Sequence, residues 1–304
     1  MDKKVLVTGG AGFIGSHLCE ALVSRGYKVT VIDNLSTGKL DNIKFHSLPV
    51  AFVNGTITDL ALLQDICGGV EFVFHLAAMN RAPRSIENPI DANKVNIDGT
   101  LNVLVAARDN KVKKVVYTSS SSVYGGDGVS IKREVMKPNP ETPYAVSKLA
   151  GEYYCGVFQK LYGLSSLCLR YFSVYGKRQR PDVEYAAVVP VFIDRISHGM
   201  PPIIFGDGEQ TRNFTYVRDA VAVTVFLAES EETGIFNVSY SQPVSVNKLA
   251  NLVAATLKKK VTPVYEKKRT GDVKHLSANI SKLLDLKFIL EYDIQAGLRD
   301  MVSG

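Results

Sequence analysis

The sequence predicts an α/β fold with a doubly wound parallel sheet and a smaller α+β lobe in its C-terminal part. Short apolar runs typical of buried parallel strands alternate with amphipathic helical segments over roughly the first 170 residues. A glycine-rich turn joins the first of these strands to the first helix. Farther along the chain, prolines and short mixed segments replace the alternation. We therefore expect two regions, residues 1–172 and residues 173–304, with an interleaved boundary.

The strands of the first region are recognised by their runs of Val, Ile, Leu and Phe. They are predicted at Val5–Thr8, Lys28–Ile32, Val50–Val53, Phe72–Leu76, Val115–Ser119 and Ser166–Tyr171. Helical segments are predicted between them at Ile14–Arg25, Val95–Asn110 and Ala145–Tyr162. This alternation of strand and helix is typical of a parallel sheet that is covered by helices on both faces.

The composition of the 304-residue chain argues against several classes of protein. Its four cysteines are far apart and form no C-x-x-C pair, which argues against a zinc site or a disulfide framework. No apolar run approaches the ~20 residues that span a bilayer, and we expect no secretory signal because the first four residues lead directly into a strand. The net charge is +6, but the basic runs are short and lie in different segments. We expect a cytoplasmic protein that uses no metal and binds neither membrane nor nucleic acid.

Three glycines mark a candidate cofactor site between the first strand and the first helix. Gly9, Gly12 and Gly15 have the spacing G-x-x-G-x-x-G. Glycines let the backbone approach a ligand closely, and the helix N-terminus offers free N–H groups to a pyrophosphate. Asp33 ends the second strand, where a carboxylate accepts hydrogen bonds from ribose hydroxyls and repels a 2′-phosphate. These residues predict a Rossmann-type site that holds NAD rather than NADP.

A second group of polar residues predicts the reaction centre. Tyr144 and Lys148 form the pattern Y-x-x-x-K at the start of a helix, so their side chains lie on one face. A tyrosine with a pKa near ~10 is a weak base at neutral pH, and a lysine charge beside it is expected to lower that pKa. The serines at 119–122 follow the fifth strand, whose carboxyl end faces the ligand crevice. One of their hydroxyls is expected to bridge Tyr144 and the substrate.

Taken together and in this order, the motifs resemble those of the NAD-dependent epimerase/dehydratase family, which has the extended short-chain dehydrogenase fold. The resemblance covers nearly the whole chain, and within the family it is strongest to the UDP-hexose 4-epimerases. The segments that carry it are TGGAGFIGSHL at 8–18, DNLSTG at 33–38, HLAA at 75–78, SSSSVYG at 119–125, YAVSK at 144–148, RYFSVYG at 170–176, FGDGEQTRNFTYVRD at 205–219 and RTGDV at 269–273.

The resemblance implies a set of NAD contacts along the first region. The expected residues are Gly9, Gly12, Phe13, Ile14 and Gly15 at the pyrophosphate, Asp33, Asn34, Ser36, Thr37 and Gly38 around the adenosine ribose, and Asp59 near the adenine. The rest of the cofactor cleft is expected to include Leu76, Ala77, Ala78, Asn96, Ser119, Tyr144, Lys148 and Phe172.

The resemblance also implies catalytic and substrate-binding residues. Ser120 matches the catalytic hydroxyl, Tyr144 the base and Lys148 its helper. The expected substrate contacts are Ser120, Ser121, Ser122, Tyr144, Ser173, Ala187, Val188, Arg212, Arg269, Asp272 and Leu276. Guanidinium groups suit a diphosphate, and a carboxylate suits ribose hydroxyls.

The chain departs from the family pattern at a few substrate positions. Ser173 stands where the family usually has asparagine, and Asn213 stands where aspartate is usual. The segment AAVVP at 186–190 resembles epimerases that accept N-acetylated sugars. Leu276 takes a pocket position where a tyrosine restricts some members to plain hexoses. We therefore expect a pocket that tolerates an N-acetyl group.

The predicted activity is an isomerase reaction, the inversion of C4 of a UDP-hexose through a 4-keto intermediate, with NAD held tightly. UDP-glucose and UDP-galactose are the expected substrates, and their N-acetylated forms are further candidates. A dehydratase of this fold needs an acid beside the catalytic hydroxyl, but no Asp or Glu lies between Ser120 and Tyr124. A UDP-glucuronate 4-epimerase, another nucleotide-sugar dehydratase or reductase, and a non-enzymatic NAD-sensing protein remain alternatives.

Apolar stripes predict how the chain assembles. The segments Val95–Asn110 and Ala145–Tyr162 both carry long apolar faces. In the family, these two helices pair across a two-fold axis as a four-helix interface. The resemblance therefore implies a homodimer.

Overall fold

The computed structural model describes residues 3–44, 50–126, 131–268 and 274–303. These residues divide into two compact units. The first unit comprises the chain up to Gly125, Lys137–Arg170 and Val221–Phe236, and the second comprises Gly126–Met136, Tyr171–Ala220 and the chain from Asn237 onward. The chain therefore passes from one unit to the other several times.

The strands form four sheets within the described residues. In chain order they are β1 (Lys4–Thr8), β2 (Lys28–Asp33), β3 (Ala51–Asn54), β4 (Phe72–His75), β5 (Lys114–Ser120), β6 (Ile131–Lys132), β7 (Ser165–Tyr171), β8 (Val174–Tyr175), β9 (Ile203–Phe205), β10 (Thr211–Asn213), β11 (Thr215–Tyr216), β12 (Gly234–Val238), β13 (Pro243–Ser245), β14 (Val264–Glu266) and β15 (His275–Ala278).

The helices lie between these strands. The α-helices are α1 (Phe13–Ser24), α2 (Leu60–Ile66), α3 (Ala82–Glu87), α4 (Pro89–Asn93), α5 (Gly99–Asp109), α6 (Pro143–Tyr162), α7 (Val188–Ser197), α8 (Val217–Glu229), α9 (Val246–Thr256), α10 (Ser281–Asp285) and α11 (Ile294–Val302). Shorter 3₁₀ turns occur at Leu40–Ile43 and Ser121–Tyr124, and a π-helical turn occurs at Lys94–Asp98.

The main sheet has seven strands in the order β12-β7-β5-β4-β1-β2-β3. Strands β1 to β5 pair in parallel, with β1 at the centre between β4 and β2. Val5, Leu6 and Val7 of the central strand are fully buried, as expected of a strand with helices on both faces. The predicted doubly wound parallel sheet is therefore confirmed.

Two elements differ from the sequence prediction. The single helix predicted at Val95–Asn110 is wrong in detail, because a π-helical turn at Lys94–Asp98 precedes α5. The extra residue in such a turn leaves the apolar pattern almost unchanged, so periodicity does not reveal it. Strand β12, which was not predicted, joins the edge of the main sheet beside β7. Its membership depends on long-range pairing, which a strand of five residues does not encode.

The second unit contains the small sheets. Its largest has the order β13-β10-β15-β6, in which β10 pairs antiparallel with β13 and parallel with β15. Two-stranded parallel sheets are formed by β8 with β11 and by β9 with β14. Helix α11 packs closely in this unit, since a Cβ added at Gly297 would lie 2.0 Å from the Tyr175 hydroxyl.

Helix α6 has clear sequence signals at both ends and packs tightly on β5. Thr142 caps its N-terminus by accepting a hydrogen bond from the Ala145 N–H, and Gly163 ends it in the left-handed conformation. Gly151 faces the ring of Tyr117 in β5, and a Cβ added there would lie 2.4 Å from that ring. The absence of a side chain at Gly151 therefore sets how closely α6 approaches β5.

None of the helices in the described part of the chain has the length and apolar character needed to cross a bilayer. Cys19, Cys67, Cys155 and Cys168 are all buried, and none of these four is in a disulfide.

Gly151→Ala is expected to lower the free energy of unfolding by about 1–3 kcal/mol, because the new methyl group would overlap the Tyr117 ring. Gly156→Ala in the same helix is the matched control, since nothing lies within 4 Å of its Cβ position. This control is expected to raise the free energy of unfolding by ~0.5–1 kcal/mol through better helix propensity. Urea unfolding measures both variants, and equal effects would contradict the close packing of α6.

Candidate active site

The turn between β1 and α1 has the geometry of an anion-binding loop. Gly9 adopts φ +72°, and a Cβ there would lie 2.8 Å from the Ala77 nitrogen. A Cβ at Gly15 would lie 2.2 Å from the Gly9 carbonyl oxygen, so only glycine fits at both positions. Helix α1 then begins with no side-chain cap and no acidic residue in its first turn. Its first N–H groups, at Phe13 and Ile14, suit the pyrophosphate of a dinucleotide.

Asp33 lies at the end of β2 and is held by the backbone. Its carboxylate accepts hydrogen bonds from the Ala11 N–H (3.0 Å) and the Leu35 N–H (2.8 Å). Burial raises the pKa of Asp33, and these two backbone hydrogen bonds oppose that effect. Each carboxylate oxygen retains a lone pair for a further donor, so the residue fits the predicted role of accepting ribose hydroxyls.

The other residues predicted around the adenosine lie on the same side of the first unit. Gly38 packs against the glycine turn, since a Cβ there would lie 2.8 Å from the Ala11 carbonyl carbon. Asn34 accepts the Ser36 N–H (3.1 Å), and Ser36 and Thr37 are exposed. Asp59 is an exposed N-cap of α2 that accepts the Leu62 N–H (3.0 Å). Its contact with adenine stays a prediction.

A buried histidine organises the central edge of the sheet, although the sequence analysis assigned it no role. The Thr100 hydroxyl donates to the Asn96 carbonyl (2.6 Å), so its oxygen accepts a hydrogen bond from the His75 Nε2–H (2.9 Å). His75 Nδ1 then accepts from the Thr8 hydroxyl (2.7 Å). Burial is the main reason that the pKa of His75 falls to about 3, so the ring is neutral at physiological pH.

This chain of hydrogen bonds fixes the segment after β4. The Thr8 oxygen accepts the N–H groups of Leu76 (3.2 Å) and Ala77 (3.1 Å). Leu76, Ala77 and Ala78 are half-buried in this segment. The predicted cleft-lining residues are therefore held against the glycine turn.

Asn96 connects the same segment to helix α6. Its side-chain oxygen accepts the Met79 N–H (2.7 Å), and its amide nitrogen donates to the Met79 carbonyl (3.1 Å) and to the Ser147 hydroxyl (2.9 Å). Asn96 lies in the π-helical turn and is buried. These contacts give it a positioning role, and its predicted contact with the cofactor stays a prediction.

Ser120 and Tyr144 are brought together by the end of β5 and the first turn of α6. Their side chains are hydrogen-bonded to each other. The Ser120 oxygen also accepts the Ser122 N–H (3.1 Å) and lies 3.1 Å from the Ser122 hydroxyl. Ser85 anchors the start of α6 by accepting the Tyr144 N–H (2.9 Å). A hydroxyl beside a phenol in this geometry can pass a proton to or from a bound alcohol.

The electrostatics of Tyr144 and Lys148 correct one expectation. Burial raises the pKa of Tyr144, and the hydrogen bond with Ser120 is what opposes the rise. The expected lowering by Lys148 is not found: the hydrogen bond with Ser120 is the effect that lowers this pKa, and desolvation of the phenol outweighs it. The Lys148 ammonium is buried, donates to the Thr118 carbonyl (2.8 Å) and lies 4.9 Å from the centre of the Tyr117 ring. Burial lowers the pKa of Lys148 to about 8.

A buried carboxylate below the serines was missed by the sequence analysis. Glu152 accepts a hydrogen bond from the Ser119 hydroxyl (2.5 Å) and makes a two-pronged ion pair with Arg170 (2.9 and 2.6 Å). Ser119 therefore directs its side chain into the protein, and its predicted contact with the cofactor stays a prediction. The spacing of Glu152, four residues after Lys148, was a signal that could have identified it.

In the second unit, Arg212 and Leu276 are neighbours. They are register partners in the parallel pair β10–β15, which places their side chains on one face of that sheet. Both are half-buried. Arg212 donates to the carbonyl oxygens of Thr211 (2.8 Å) and Lys274 (3.4 Å). Arg269 and Asp272 lie outside the described residues.

The second unit also has a pocket of about 370 Å³ that the sequence analysis did not assign. Its lining combines an aromatic ring with polar and basic groups, from Phe205, Gly206, Asp207, Gln210, Lys268 and Lys274. Such a lining suits a base and an anion together. The FGDG motif at 205–208 and the lysines at 267 and 268 were the available signals in the sequence.

The remaining predicted site residues lie in both units: Phe172, predicted at the cofactor, and Ser173, Ala187 and Val188, predicted at the substrate, are in the second unit, and Ser121 is in the first. Phe172 is buried, and its N–H donates to the Val238 carbonyl (3.1 Å). Ser173 is exposed, with φ +36°. Ala187 is the N-cap of α7, and Val188 begins that helix. Ser121, in the first unit, is buried in the 3₁₀ turn.

The sequence and the structure both match known proteins over nearly the whole chain. A UDP-N-acetylglucosamine 4-epimerase from Methanobrevibacter ruminantium, solved with UDP-N-acetylmuramic acid, is 39% identical, with a TM-score of 0.96 over 99% of this chain and 97% of the other. A UDP-glucose 4-epimerase from Thermotoga maritima, solved with UDP-glucose, is 35% identical, with a TM-score of 0.93 over 98% and 97%. A UDP-glucuronic acid 4-epimerase from Bacillus cereus, solved with UDP-glucuronic acid and NAD, is 34% identical, with a TM-score of 0.88 over 98% and 97%.

A family model gives the same result from the sequence. The model described as the NAD dependent epimerase/dehydratase family matches residues 5–239, which include the glycine turn, Asp33, the serine run and the Tyr144–Lys148 pair. Since this match covers most of the chain, the protein belongs to the NAD dependent epimerase/dehydratase family.

Proposed function

We propose that this protein is a UDP-sugar 4-epimerase that holds NAD and inverts C4 of a hexose. The observation that carries the proposal is the hydrogen bond between Ser120 and Tyr144 at the start of a helix that also bears the buried Lys148. The similarity to three 4-epimerases with different sugars supports the reaction more strongly than it supports any one substrate.

The residues of the first unit have distinct roles in this reaction. Tyr144 accepts the proton of the C4 hydroxyl and later returns it, and Ser120 relays or stabilises that proton. NAD, when bound, supplies the acceptor and donor of hydride and is regenerated at the end. The 4-keto sugar has to turn between the two proton transfers at Tyr144, because inversion requires the opposite face of C4. The glycine turn and Asp33 hold the cofactor.

The residues of the second unit are proposed to hold the nucleotide. The pocket at Phe205 offers an aromatic ring to a base, and Lys268 and Lys274 offer positive charge to a diphosphate. Arg212 is a further candidate for the diphosphate. Firm binding of the nucleotide would leave the sugar free to turn.

The proposed sugar is a hexose, plain or N-acetylated. Leu276 is half-buried beside Arg212 and carries no hydroxyl, so this position leaves room for a substituent at C2. A dehydratase is less well supported, because no acidic residue lies between Ser120 and Tyr124.

Incubation with UDP-glucose, UDP-N-acetylglucosamine and UDP-glucuronate, with products resolved by chromatography, tests the proposal. Epimerisation of none of them would refute it.

Tyr144→Phe is expected to lower turnover by ~10²–10⁴-fold, because it removes the oxygen that accepts the substrate proton. Binding of NAD should persist, since the glycine turn and Asp33 are unchanged. Tyr162→Phe in the same helix is the matched control, because this side chain is exposed and should leave turnover unaltered. Steady-state kinetics and calorimetric binding of NAD measure the two effects. Near wild-type turnover in Tyr144→Phe would remove Tyr144 from the mechanism.

Leu276→Tyr is expected to reduce epimerisation of UDP-N-acetylglucosamine relative to UDP-glucose by about 10- to 100-fold, because filling a pocket of this size is worth ~1–3 kcal/mol. The matched control is Leu284→Tyr, the same change at an exposed position in α10. Chromatographic rates with both sugars give the ratio. If the wild type acts on UDP-glucose but not on the N-acetylated sugar, the proposed open pocket is wrong.

We also propose a homodimer formed through helix α6. Four large apolar side chains on this helix, at Val146, Tyr153, Val157 and Leu161, are exposed, and their spacings of seven, four and four residues place them on one face. Leu161 is 64% exposed. A contiguous apolar helix face of this kind is typical of an interface between subunits.

Light scattering at micromolar concentration is expected to give twice the mass of the chain. Val157→Glu should shift the protein toward the monomer, because it places a charge in the centre of the apolar face. Ile289→Glu is the control, since this residue is 79% exposed and lies in the second unit. A monomeric wild type, or identical masses for the wild type and Val157→Glu, would contradict the interface.

A further inference from the structure

The buried carboxylate of Glu152 lies at the junction of three elements that carry the reaction centre. It belongs to α6, one turn after Lys148 on the buried side of the helix. It accepts a hydrogen bond from Ser119 near the end of β5 and pairs with Arg170 near the end of β7. Both charged groups of this pair are nearly inaccessible, with side-chain exposures of 2% for Glu152 and 1% for Arg170.

Consecutive residues of β5 are thereby attached to consecutive turns of α6. The Thr118 carbonyl accepts from Lys148 (2.8 Å), and the Ser119 hydroxyl donates to Glu152 (2.5 Å). The next residue of the strand is Ser120, whose hydroxyl meets Tyr144. The two attachments therefore determine where Ser120 lies relative to the first turn of α6.

We propose that Glu152 is a positioning residue for catalysis, which fixes α6 to the end of β5 and supplies the negative charge that faces Lys148. This role rests on the proposed function of Tyr144 and Lys148. The Glu152 side chain is buried and linked to Ser119 and Arg170, so it acts through Lys148 and Ser120.

The charges around Lys148 support an electrostatic effect of Glu152. Burial lowers the pKa of Lys148 to about 8, and the Glu152 carboxylate opposes that fall. The other titratable groups that face this site are Tyr144 on the same helix, Tyr117 from β5 and neutral His75 from β4.

Arg170 from β7 pairs directly with Glu152, and the pKa of the Cys168 thiol beside this pair is raised, first by its hydrogen bond with Cys155 and then by burial. The charged residues of the helices between 82 and 109 that pack on α6 are exposed or half-buried. Glu152 is thus the carboxylate that faces Lys148 among the described residues.

Glu152→Gln keeps the size of the side chain and an acceptor for Ser119, but it removes the charge. Without the carboxylate, the Lys148 ammonium is expected to lose its proton about one pH unit lower, a tenfold change in proton affinity. The direct measurement is NMR titration of ¹³Cε-labelled lysine in the NAD-loaded protein, in which the Lys148 signal is identified by its absence from Lys148→Met. The alkaline limb of the pH profile of kcat is expected to move down by the same amount, with KM changed less than about twofold.

Glu152→Asp is the matched control, because it keeps the charge and shortens the side chain. It should leave the Lys148 midpoint near that of the wild type. If Glu152→Gln fails to fold because Arg170 is left unpaired, the double variant Glu152→Gln with Arg170→Met removes both charges and is titrated instead. Its Lys148 midpoint should still be lower than that of the wild type.

The proposal would be overturned if the variant without the carboxylate kept the wild-type Lys148 midpoint and pH profile and differed from the wild type only in its free energy of unfolding. The NMR titration needs no turnover. If the wild type acts on no UDP-sugar, the proposed function fails while the role of Glu152 toward Lys148 is still measured.

Discussion

The packing of helix α6 on strand β5 is the constraint on which the reaction centre depends. Tyr144 and Lys148 belong to the helix, whereas Ser120 belongs to the strand, so their geometry is set by how the two elements meet. Gly151 permits the close approach to Tyr117, and the Tyr117 hydroxyl donates to the Lys148 carbonyl (3.3 Å). Because a displacement of the helix by one residue corresponds to about 1.5 Å along its axis and a rotation of about 100°, such a shift would separate Ser120 from Tyr144.

The cofactor edge of the same sheet is held by a different kind of interaction. Thr8 and His75 end adjacent parallel strands, and their hydrogen bond, extended to Thr100, fixes the backbone on both sides of the crevice. A charged imidazole at this place would face Lys148, so burial of a neutral ring avoids a repulsion near the reaction centre. Carboxyl ends of parallel strands bind ligands where the strand order reverses, and β1 and β4 meet at that point.

The part of this arrangement that the sequence predicts is the part encoded locally. The glycine turn, Asp33 at a strand end, and the spacing of Tyr144 and Lys148 within one helical turn all follow from short-range geometry. The hydrogen bonds of His75 and the pairing of Glu152 with Arg170 join residues on different elements, and no local pattern specifies them. The raised pKa of Tyr144 was missed for the same reason, because desolvation depends on everything packed around the phenol.

The buried ion pair between Glu152 and Arg170 is better explained by its effect on the pKa of Lys148 than by a contribution to the free energy of unfolding. Removing two charges from water costs several kcal/mol per ion, so a buried pair such as Glu152–Arg170 contributes little net stability compared with apolar residues of similar volume. The effect of the Glu152 carboxylate on the pKa of Lys148 does not depend on whether the ion pair itself adds net stability. The Glu152 carboxylate opposes the fall that burial causes in the pKa of Lys148, so it favours the protonated lysine on the helix that carries Tyr144. A net positive charge near a phenol favours the phenolate, which is the form that the proposed proton transfer requires.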